Sequence, residues 1–365
     1  MLMKKIQHCK ELNMPFKREA CRIGPTFWGV MLPGEKSAKE LIHKMGKYDS
    51  DKIHDTISLE IFPYHIIIKI IGTYQVIEDD WRCTMSIGLV LEGGGTRGWY
   101  TGGVLTVLHE EGIHFSTVYG VSAGAMNALA YISGQINQNT ATAYMKNMTD
   151  ERYMGIRNLH KTGSFFNFDF MLKEQPHTIP FDYDTFFNSP VRLEVGTTDI
   201  ETGQSVYFSK KEMDDDFTPV RASCSLPLIA NIVKYKGHLL LDGGCSEPIP
   251  IERSIKDGNK KNIIVLTQDV SYHEKPGHGL SYLMLCIKYR RYPNFMRLMK
   301  NHSEIYNSEA NLCMELEKEG KAIVIRPSIP VELRRYNDTE MLFKIYRMGM
   351  DDCRKKLPQI KQFTA

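Results

Sequence analysis

Short apolar runs alternate with amphipathic stretches from Ser86 onward. The order is a strand (IGLVLE), a glycine loop (GGGTRG), a helix (WYTGGVLTVLHEEG), a second strand (FSTVYGV) and a second helix (SAGAMNALAYISGQ). This alternation predicts an α/β fold, because parallel strands need long crossover connections that are usually helical. Further apolar runs predict buried strands at Val191–Thr198, Ser205–Ser209, Leu239–Leu241, Ile263–Thr267 and Ala322–Ile325.

Two later stretches show helical periodicity, Asn294–Glu319 and Asp338–Lys356, and predict helices packed on the outside of the sheet. The pattern before Met85 is less regular, with a helix expected near Ser37–Met45. The apolar stretch Ile61–Ile77 is interrupted by a proline, a histidine and a lysine, and is shorter than the roughly 20 apolar residues of a spanning helix. It predicts a buried strand pair or hairpin.

Composition and charge narrow the classes of function. The chain has 365 residues, 42% hydrophobic and 24% charged, with a formal net charge of +3, which gives no indication of nucleic-acid binding. The eight cysteines are scattered without metal-ligand spacing and predict reduced thiols and no metal site. The acidic run Asp214–Asp216 predicts a solvated loop or helix start. No secretory signal is evident at the N-terminus, so a cytoplasmic protein is expected.

The glycine loop Gly93–Gly98 has the GxGxxG spacing of dinucleotide-binding loops. A Rossmann unit would place an acidic residue at the end of the next strand, which here reads YGVSAG, and the Lys-Ser or Lys-Thr of a Walker loop is missing too. Glycines also suit a loop that aims backbone N–H groups at a developing oxyanion. The predicted oxyanion region comprises Gly93, Gly94, Gly95, Arg97 and Gly98.

In this region the first three glycines are the expected donors. Arg97 has three alternative roles: it buttresses the loop, it offsets negative charge nearby, or it forms a structural salt bridge.

The sequence GVSAG, Gly120–Gly124, lies between an apolar strand and an Ala-rich helix, which is the setting of a nucleophile elbow. Ser122 would occupy the strained turn at a helix N-terminus, where the helix dipole favours negative charge. Gly120 and Gly124 would leave room for the neighbouring strand and helix, and Ala123 completes the elbow. The alternative interpretation is that Ser122 merely caps the helix.

No histidine has the setting expected of a catalytic triad. His238 precedes Asp242 by four strand residues, a separation of about 13 Å. Asp242 ends the strand LLLD and is followed by Gly243 and Gly244, at the carboxyl edge where Ser122 is also expected. Partial burial would raise the pKa of the aspartate, so a direct Ser–Asp dyad is chemically possible. The alternative is an ordinary turn after a strand.

The motifs GGGTRG, GVSAG and LLLDGG, in this order, resemble the signatures of the patatin-like phospholipase family, and the sequence around them is similar to its compact bacterial type. The resemblance covers about Ile87–Lys356 and implies a three-layer α/β/α sandwich with a mainly parallel central sheet. It also implies hydrolysis of acyl lipid esters by Ser122 and Asp242, without a metal or diffusible cofactor. Ser225 and Pro227 are expected to shape a loop beside the site.

The resemblance assigns residues 85–360 to a patatin-like acyl hydrolase domain and leaves residues 1–84 as an extension of unknown role. MSIGLVLEGGG resembles the start of compact family members. One hypothesis is therefore that Met85 is the natural start, and its rival is that the extension is an accessory region.

The segment Lys288–Lys300 interleaves five cationic residues with aromatic residues and methionines, a mixture suited to an anionic lipid surface. The alternative is an amphipathic helix that begins after Pro293 and packs its apolar side into the core. Two alternatives to lipid ester hydrolysis also stay open. These are acyl transfer on the same scaffold and a non-catalytic phosphate-binding or interaction protein that uses GGGTRG.

Overall fold

The chain divides into two compact units, Met1–Cys83 and Thr84–Ala365. The computed structural model describes residues 87–148, 150, 152–170, 180–331 and 338–364, together with the backbone of three strands between residues 57 and 78. These three strands form an antiparallel sheet: β1 (Ile57–Phe62), β2 (His65–Ile70) and β3 (Thr73–Glu78). The predicted strand pair is thus part of a three-stranded sheet. The helix predicted near Ser37–Met45 lies outside the described residues.

The described strands of the second unit form one eight-stranded sheet. They are β4 (Ile87–Leu91), β5 (Thr117–Val121), β6 (Arg192–Asp199), β7 (Gln204–Ser209), β8 (Val233–Tyr235), β9 (His238–Asp242), β10 (Lys261–Val265) and β11 (Ala322–Ile325). The order is β11-β10-β4-β5-β6-β9-β8, with β7 also paired to β6. The strands from β11 to β6 are parallel, whereas β7, β9 and β8 join by antiparallel pairing.

Helices connect these strands and follow the last of them. They are α1 (Gly98–Glu110), α2 (Ala123–Ile132), α3 (Gln138–Asn147), α4 (Ile156–Thr162), α5 (Tyr183–Asn188), α6 (Thr218–Ser223), α7 (Ile251–Lys256), α8 (Leu280–Lys288), α9 (Pro293–Lys318) and α10 (Thr339–Thr364).

Successive residues of β4 point to opposite faces of the sheet, as the period of a strand requires. Leu89 and Leu91 pack in a core cluster with residues of α1, α2 and α10, whereas Val90 packs in a second cluster with residues of α7 and α9. Helices therefore cover both faces. The predicted three-layer α/β/α sandwich with a mainly parallel sheet is confirmed.

The helix predicted over Asp338–Lys356 continues to Thr364 and passes through Pro358. A proline inside a helix removes one backbone hydrogen bond and crowds the preceding turn. Ile360 is fully buried in the core cluster, so tertiary packing stabilises the last turns.

The start of α9 at Pro293 agrees with the alternative interpretation of the segment Lys288–Lys300. Tyr289 and Phe295 are fully buried, with their ring centroids 5.0 Å apart. Two of the aromatic residues assigned to a lipid surface therefore belong to the core.

No helix in the described part of the chain is both long and apolar enough to cross a membrane. Within the same residues, no group of three or more His, Cys, Asp or Glu side chains is arranged to hold a metal ion. The acidic run begins at a local turn, where Asp214 accepts a hydrogen bond from the Thr218 N–H at 2.7 Å.

Helices α1 and α10 approach each other closely through two glycines. A Cβ atom on Gly103 would lie 2.0 Å from the Tyr346 carbonyl oxygen, and one on Gly349 would lie 2.1 Å from the Tyr100 carbonyl oxygen. The Thr106 and Tyr346 hydroxyls also form a buried 2.7 Å hydrogen bond. The C-terminal helix is therefore an integral part of the core.

We expect Gly349→Ala to destabilise the protein by about 1–3 kcal/mol, the usual loss on overpacking a core. Alanine is favoured over glycine by about 1 kcal/mol inside a helix, so a net loss would come from the collision with Tyr100. Urea unfolding followed by circular dichroism measures the change. Gly277→Ala is the control, since its nearest neighbour would be Tyr282 at 3.7 Å. Unchanged or increased stability in Gly349→Ala would contradict the close helix contact.

Candidate active site

Ser122 lies between β5 and α2 with φ 52° and ψ −122°. A non-glycine residue in such a conformation costs about 1–3 kcal/mol and must be held by its surroundings. The Ser122 N–H donates to Ser223 Oγ at 2.8 Å, and Ser223 Oγ donates to the Gly196 carbonyl oxygen at 2.6 Å. Ser122 occupies the N-cap position, but its side chain makes no capping hydrogen bond. The hydroxyl therefore does not cap the N-terminus of α2.

The residues around Ser122 are in close contact with the neighbouring strand and helices. A Cβ atom on Gly120 would lie 2.8 Å from the Ala125 backbone, and one on Gly124 would lie 2.4 Å from the Leu91 carbonyl oxygen. Both positions exclude a side chain, for the steric reason that the sequence suggested. Ala123 is the first residue of α2 and lines the pocket described below.

Ser122 and Asp242 meet in the structure. Ser122 Oγ donates to Asp242 Oδ2 at 2.8 Å, and both residues are buried. The reason differs from the expected one, because β9 is antiparallel to β6 and the two residues do not emerge from parallel strands at a common carboxyl edge. They meet through strand register, since Val121 pairs with Gly196 and Asp242 pairs with Thr197.

The backbone of Asp242 is fixed on both sides. Its N–H donates to the Ser225 carbonyl oxygen at 2.9 Å, and its carbonyl oxygen accepts from Thr198 Oγ1 at 2.8 Å. Ser225 thus lies beside the site, in the loop that includes Pro227. His238, at the other end of β9, bonds to Asp199 instead, with 2.6 Å between its Nδ1 and Asp199 Oδ2.

The electrostatic state of Asp242 is set mainly by its burial, which raises the pKa of its carboxyl from 3.8 to about 7. Hydrogen bonds from Ser122 and from the Gly244 N–H, at 2.8 Å to Oδ1, and the charge of His302 act in the opposite direction. The preceding residue, Gly243, is also confined, since a Cβ atom there would lie 2.1 Å from the Gly196 carbonyl oxygen. The turn after Asp242 therefore supplies a donor to the carboxylate.

His302 on α9 contacts this turn, and no motif in the sequence indicates this contact. Its Nε2 lies 2.8 Å from the Gly244 carbonyl oxygen and its Nδ1 lies 2.8 Å from Glu274 Oε1. Both partners only accept hydrogen bonds, so a doubly protonated ring satisfies them. Burial disfavours the imidazolium, but the Glu274 hydrogen bond and charge outweigh it and raise the pKa of His302.

The glycine loop follows β4 and bends through a short 3-10 turn at Gly95–Arg97. The Gly93 N–H donates to the Pro248 carbonyl oxygen at 3.1 Å, so Gly93 has no free donor, which corrects the expectation that all three glycines donate. The Arg97 N–H donates to the Gly94 carbonyl oxygen at 3.0 Å, and the Gly98 N–H bonds within the turn. Arg97 forms none of the ion pairs found among the described residues.

The remaining backbone donors lie close to the elbow. Among the described residues, no hydrogen bond is made by the N–H groups of Gly94, Gly95 or Ala123. Gly95 and Ala123 line the same pocket as Ser122. Gly98 contacts the elbow, since a Cβ atom there would lie 2.6 Å from Ala123 Cβ. Gly95 of the loop and Ala123 of the elbow, whose N–H groups make no hydrogen bond among the described residues, thus line one cavity with Ser122.

This pocket has a volume of about 220 Å³ and reaches Ser122. Its wall is mostly apolar and is formed by α1, α2 and α3, by Tyr153, Phe166, Phe168 and Phe181, and by Cys224 and Leu226. The apolar side chains include Trp99, Met126, Leu129, Ile136, Phe166 and Phe181. A flexible apolar group attached to a polar ester would fit this arrangement.

Comparison with protein families places this site in a known class. Residues 89–255, which contain Ser122 and Asp242, match the family model for patatin-like phospholipases. Residues 292–365 match a second model, described as a domain of unknown function (DUF6363). The segment that contains the candidate site is thus similar to patatin-like phospholipases.

Curated relatives are similar over parts of their length. The uncharacterized protein YjjU of Escherichia coli (strain K12) is 28% identical over 195 residues, covering 50% of this chain and 52% of YjjU. Lysophospholipase NTE1 of Meyerozyma guilliermondii is 26% identical over 282 residues, covering 72% of this chain and 19% of NTE1. The chain thus spans about half of one relative and about a fifth of the other.

Among solved structures, the crystal structure of VipD from Legionella pneumophila is similar, with a TM-score of 0.40 and 13% sequence identity. The similarity covers 87% of this chain and 73% of VipD.

The raised pKa of Asp242 makes stability depend on pH. Between about pH 4 and pH 7 the folded protein holds a proton on Asp242 that the unfolded chain has lost. This stabilisation is complete below about pH 4. It is lost as the pH rises from about 4 to about 7, by up to about 1.4 kcal/mol per pH unit. Asp242→Asn cannot ionise, so its stability relative to the wild type should increase from pH 5 to pH 8.

Urea unfolding of both proteins at the two pH values tests this expectation. Asp215→Asn, at an exposed carboxyl, is the control and should track the wild type. A stability difference between wild type and Asp242→Asn that is the same at both pH values would contradict the buried, proton-binding Asp242.

Proposed function

We propose that this protein hydrolyses carboxylic esters of phospholipids or related acyl lipids, with Ser122 as the nucleophile and Asp242 as its base. The observation that carries the proposal is the 2.8 Å hydrogen bond from Ser122 Oγ to Asp242 Oδ2 beside an apolar pocket. The match of residues 89–255 to the patatin-like phospholipase model and the name of a relative, lysophospholipase NTE1, support a lipid ester as the substrate.

Asp242 suits the role of base because of its environment. An aspartate with an ordinary pKa near 4 removes a proton from serine poorly, and a catalytic base works best with a pKa near the working pH. Burial raises the pKa of Asp242 to about 7. The carboxylate is thus both ionised in part and basic enough at neutral pH.

The reaction proceeds in two halves through an acyl-enzyme. The Ser122 proton passes to Asp242 Oδ2 as Oγ attacks the ester carbonyl carbon, and the tetrahedral intermediate collapses as the leaving alcohol takes that proton. Asp242 then removes a proton from water as the water oxygen attacks the acyl-Ser122 ester. The proton returns to Ser122 Oγ when the carboxylic acid leaves.

The negative oxygen of both tetrahedral intermediates needs donors. Gly95 and Ala123 line the pocket with Ser122, and their N–H groups, like that of the adjacent Gly94, make no hydrogen bond among the described residues. The N-terminus of α2 adds its positive dipole end. A single donor of this kind typically contributes a rate factor of about 10²–10³.

We expect Ser122→Ala to lose turnover of an acyl ester by several orders of magnitude, because nucleophile and base act as one unit. It should also lose covalent labelling by a fluorophosphonate probe. Hydrolysis of a phospholipid and lysophospholipid panel and in-gel labelling measure the two effects. Ser281→Ala, at an exposed serine of α8, is the matched control and should behave as the wild type.

Labelling that persists in Ser122→Ala would exclude Ser122 as the nucleophile. A wild-type protein that cleaves no ester in the panel would favour the non-catalytic alternative. Formation of a new ester when an alcohol is added would favour acyl transfer.

His302 positions the base from the far side of the Gly244 turn, and its charge lowers the pKa of Asp242. We expect His302→Ala to reduce kcat roughly 10- to 100-fold, as small displacements of catalytic groups do. His302→Gln retains a donor for the Gly244 carbonyl oxygen but no charge, so it should recover part of kcat. In both variants the rising limb of the pH–rate profile should shift to higher pH.

The pH–rate profiles of kcat/KM test this role. His278→Gln, at an exposed histidine, is the control. If His302 only supported the fold, both variants would lose activity equally at all pH values and the profile would not move.

A further inference from the structure

Helix α8 presents apolar side chains to solvent along one face. Leu280, Leu283, Met284 and Ile287 are 73%, 55%, 51% and 59% exposed, respectively. Their spacing of i, i+3, i+4 and i+7 places them in one stripe. The opposite side of α8 is anchored, since Leu285 and the following Tyr289 are buried in a core cluster with Phe295. We call the exposed stripe the α8 face.

Exposed apolar stripes of this kind mark surfaces that bind another phase or partner. An ordinary surface helix has its apolar stripe on the buried side and polar residues outside. Helix α8 has large apolar residues on both sides.

The charged side chains in the segment around α8 are all Lys or Arg. Residues 275–300 contain six Lys and Arg and no Asp or Glu. Three exposed cations directly follow the stripe and form its cationic rim: Lys288, Arg290 and Arg291. None of them forms an ion pair within the residues that the structure describes.

This combination of charge and apolar surface favours one occupant. Amphipathic helices that lie on membranes bury an apolar face at the headgroup boundary while neighbouring Lys and Arg attract anionic lipids. A symmetric contact with a second copy of the chain would bring two cationic rims together, which is unfavourable.

Helix α8 contacts a loop that borders the candidate active site. The Leu228 N–H donates to the Tyr289 hydroxyl at 3.3 Å, and Lys288 Nζ lies 3.5 Å from the Ala230 carbonyl oxygen. The same loop, from Cys224 to Ala230, contributes Cys224 and Leu226 to the pocket that reaches Ser122. Helix α8 is therefore attached to the loop that borders the pocket.

We propose that the α8 face and its cationic rim dock the protein on an anionic lipid bilayer, with the pocket border turned towards the lipid. The purpose of this docking, delivery of an acyl lipid to Ser122, rests on the proposed function, but the binding itself requires no catalysis. The sequence predicted a membrane surface at Lys288–Lys300, whereas the proposed surface centres on α8. The two surfaces have Lys288, Arg290 and Arg291 in common, and the proposed surface leaves out the buried Tyr289 and Phe295.

Co-sedimentation of the full chain with vesicles tests the proposal, using phosphatidylcholine alone and phosphatidylcholine mixed with phosphatidylglycerol. We expect binding to the anionic vesicles that weakens with salt. The double variant Leu283→Asp and Ile287→Asp should weaken this binding more than tenfold. Arg290→Glu with Arg291→Glu should also weaken it by about tenfold or more and reduce its salt dependence, at about 1 kcal/mol for each cation near the surface.

The matched control combines Ile255→Asp with Lys260→Glu. Ile255 is an exposed residue near the end of α7, and Lys260 is an exposed residue directly before β10, at the opposite edge of the parallel strands. The double variant should bind as the wild type does. Circular dichroism of each variant confirms that it is folded.

Vesicle binding that neither double variant reduces would overturn the proposal. A wild-type dimer in analytical ultracentrifugation that the α8 variants convert to monomers would also overturn it, in favour of self-association.

Turnover of a soluble short-chain ester separates this proposal from the proposed function. If turnover is normal and the α8 variants bind vesicles as the wild type does, the docking alone is refuted. If turnover is absent and the α8 variants weaken vesicle binding, with Ser122→Ala binding as the wild type does, the hydrolase assignment alone is refuted.

Discussion

The hydrogen bond between Ser122 Oγ and Asp242 Oδ2 depends on the pairing of three strands. Strand β6 lies between β5 and β9, and its residues Gly196 and Thr197 pair with Val121 on one side and Asp242 on the other. A shift of one residue in a strand turns every side chain to the other face of the sheet. The proposed dyad therefore requires the register of both pairings, and Ser223 secures it by bonding to Ser122 and β6 together.

The second constraint is a carboxyl group kept away from water. Ionising Asp242 in the interior is unfavourable, and the hydrogen bonds from Ser122 and the Gly244 N–H offset only part of that cost, so its pKa stays near 7. A fully compensated carboxylate would be a weak base. The incomplete compensation is what gives Asp242 its basicity, at some expense of stability in the neutral and alkaline range.

Local features of the site could be predicted from the sequence, whereas features that arise from tertiary pairing could not. The elbow glycines are required by contacts within one strand–turn–helix unit, and apolar runs revealed the buried strands. The sequence of a five-residue apolar strand such as β9 does not indicate whether the strand is parallel or antiparallel to its neighbour. The hydrogen bond from Gly93 to Pro248 could not be predicted either, because it joins residues 155 positions apart. His302 lies on an amphipathic helix without a motif, and the α8 face resembles any helix stripe until its exposure is known.

One face of α9 connects the segment 292–365 to the candidate site. Three of its side chains at helical spacing, His302, Tyr306 and Glu309, bond to the Gly244 carbonyl oxygen, Glu92 Oε1 and the Ile249 N–H, at 2.8, 2.9 and 2.8 Å. Gly244 follows the proposed base, Glu92 precedes the glycine loop, and Ile249 follows Pro248, which accepts the hydrogen bond from Gly93. Tyr346 of α10 lines the pocket itself. The region that matches a domain of unknown function is therefore structurally part of the patatin-like site, and residues 89–255 alone would lack the helix that supports both of its loops.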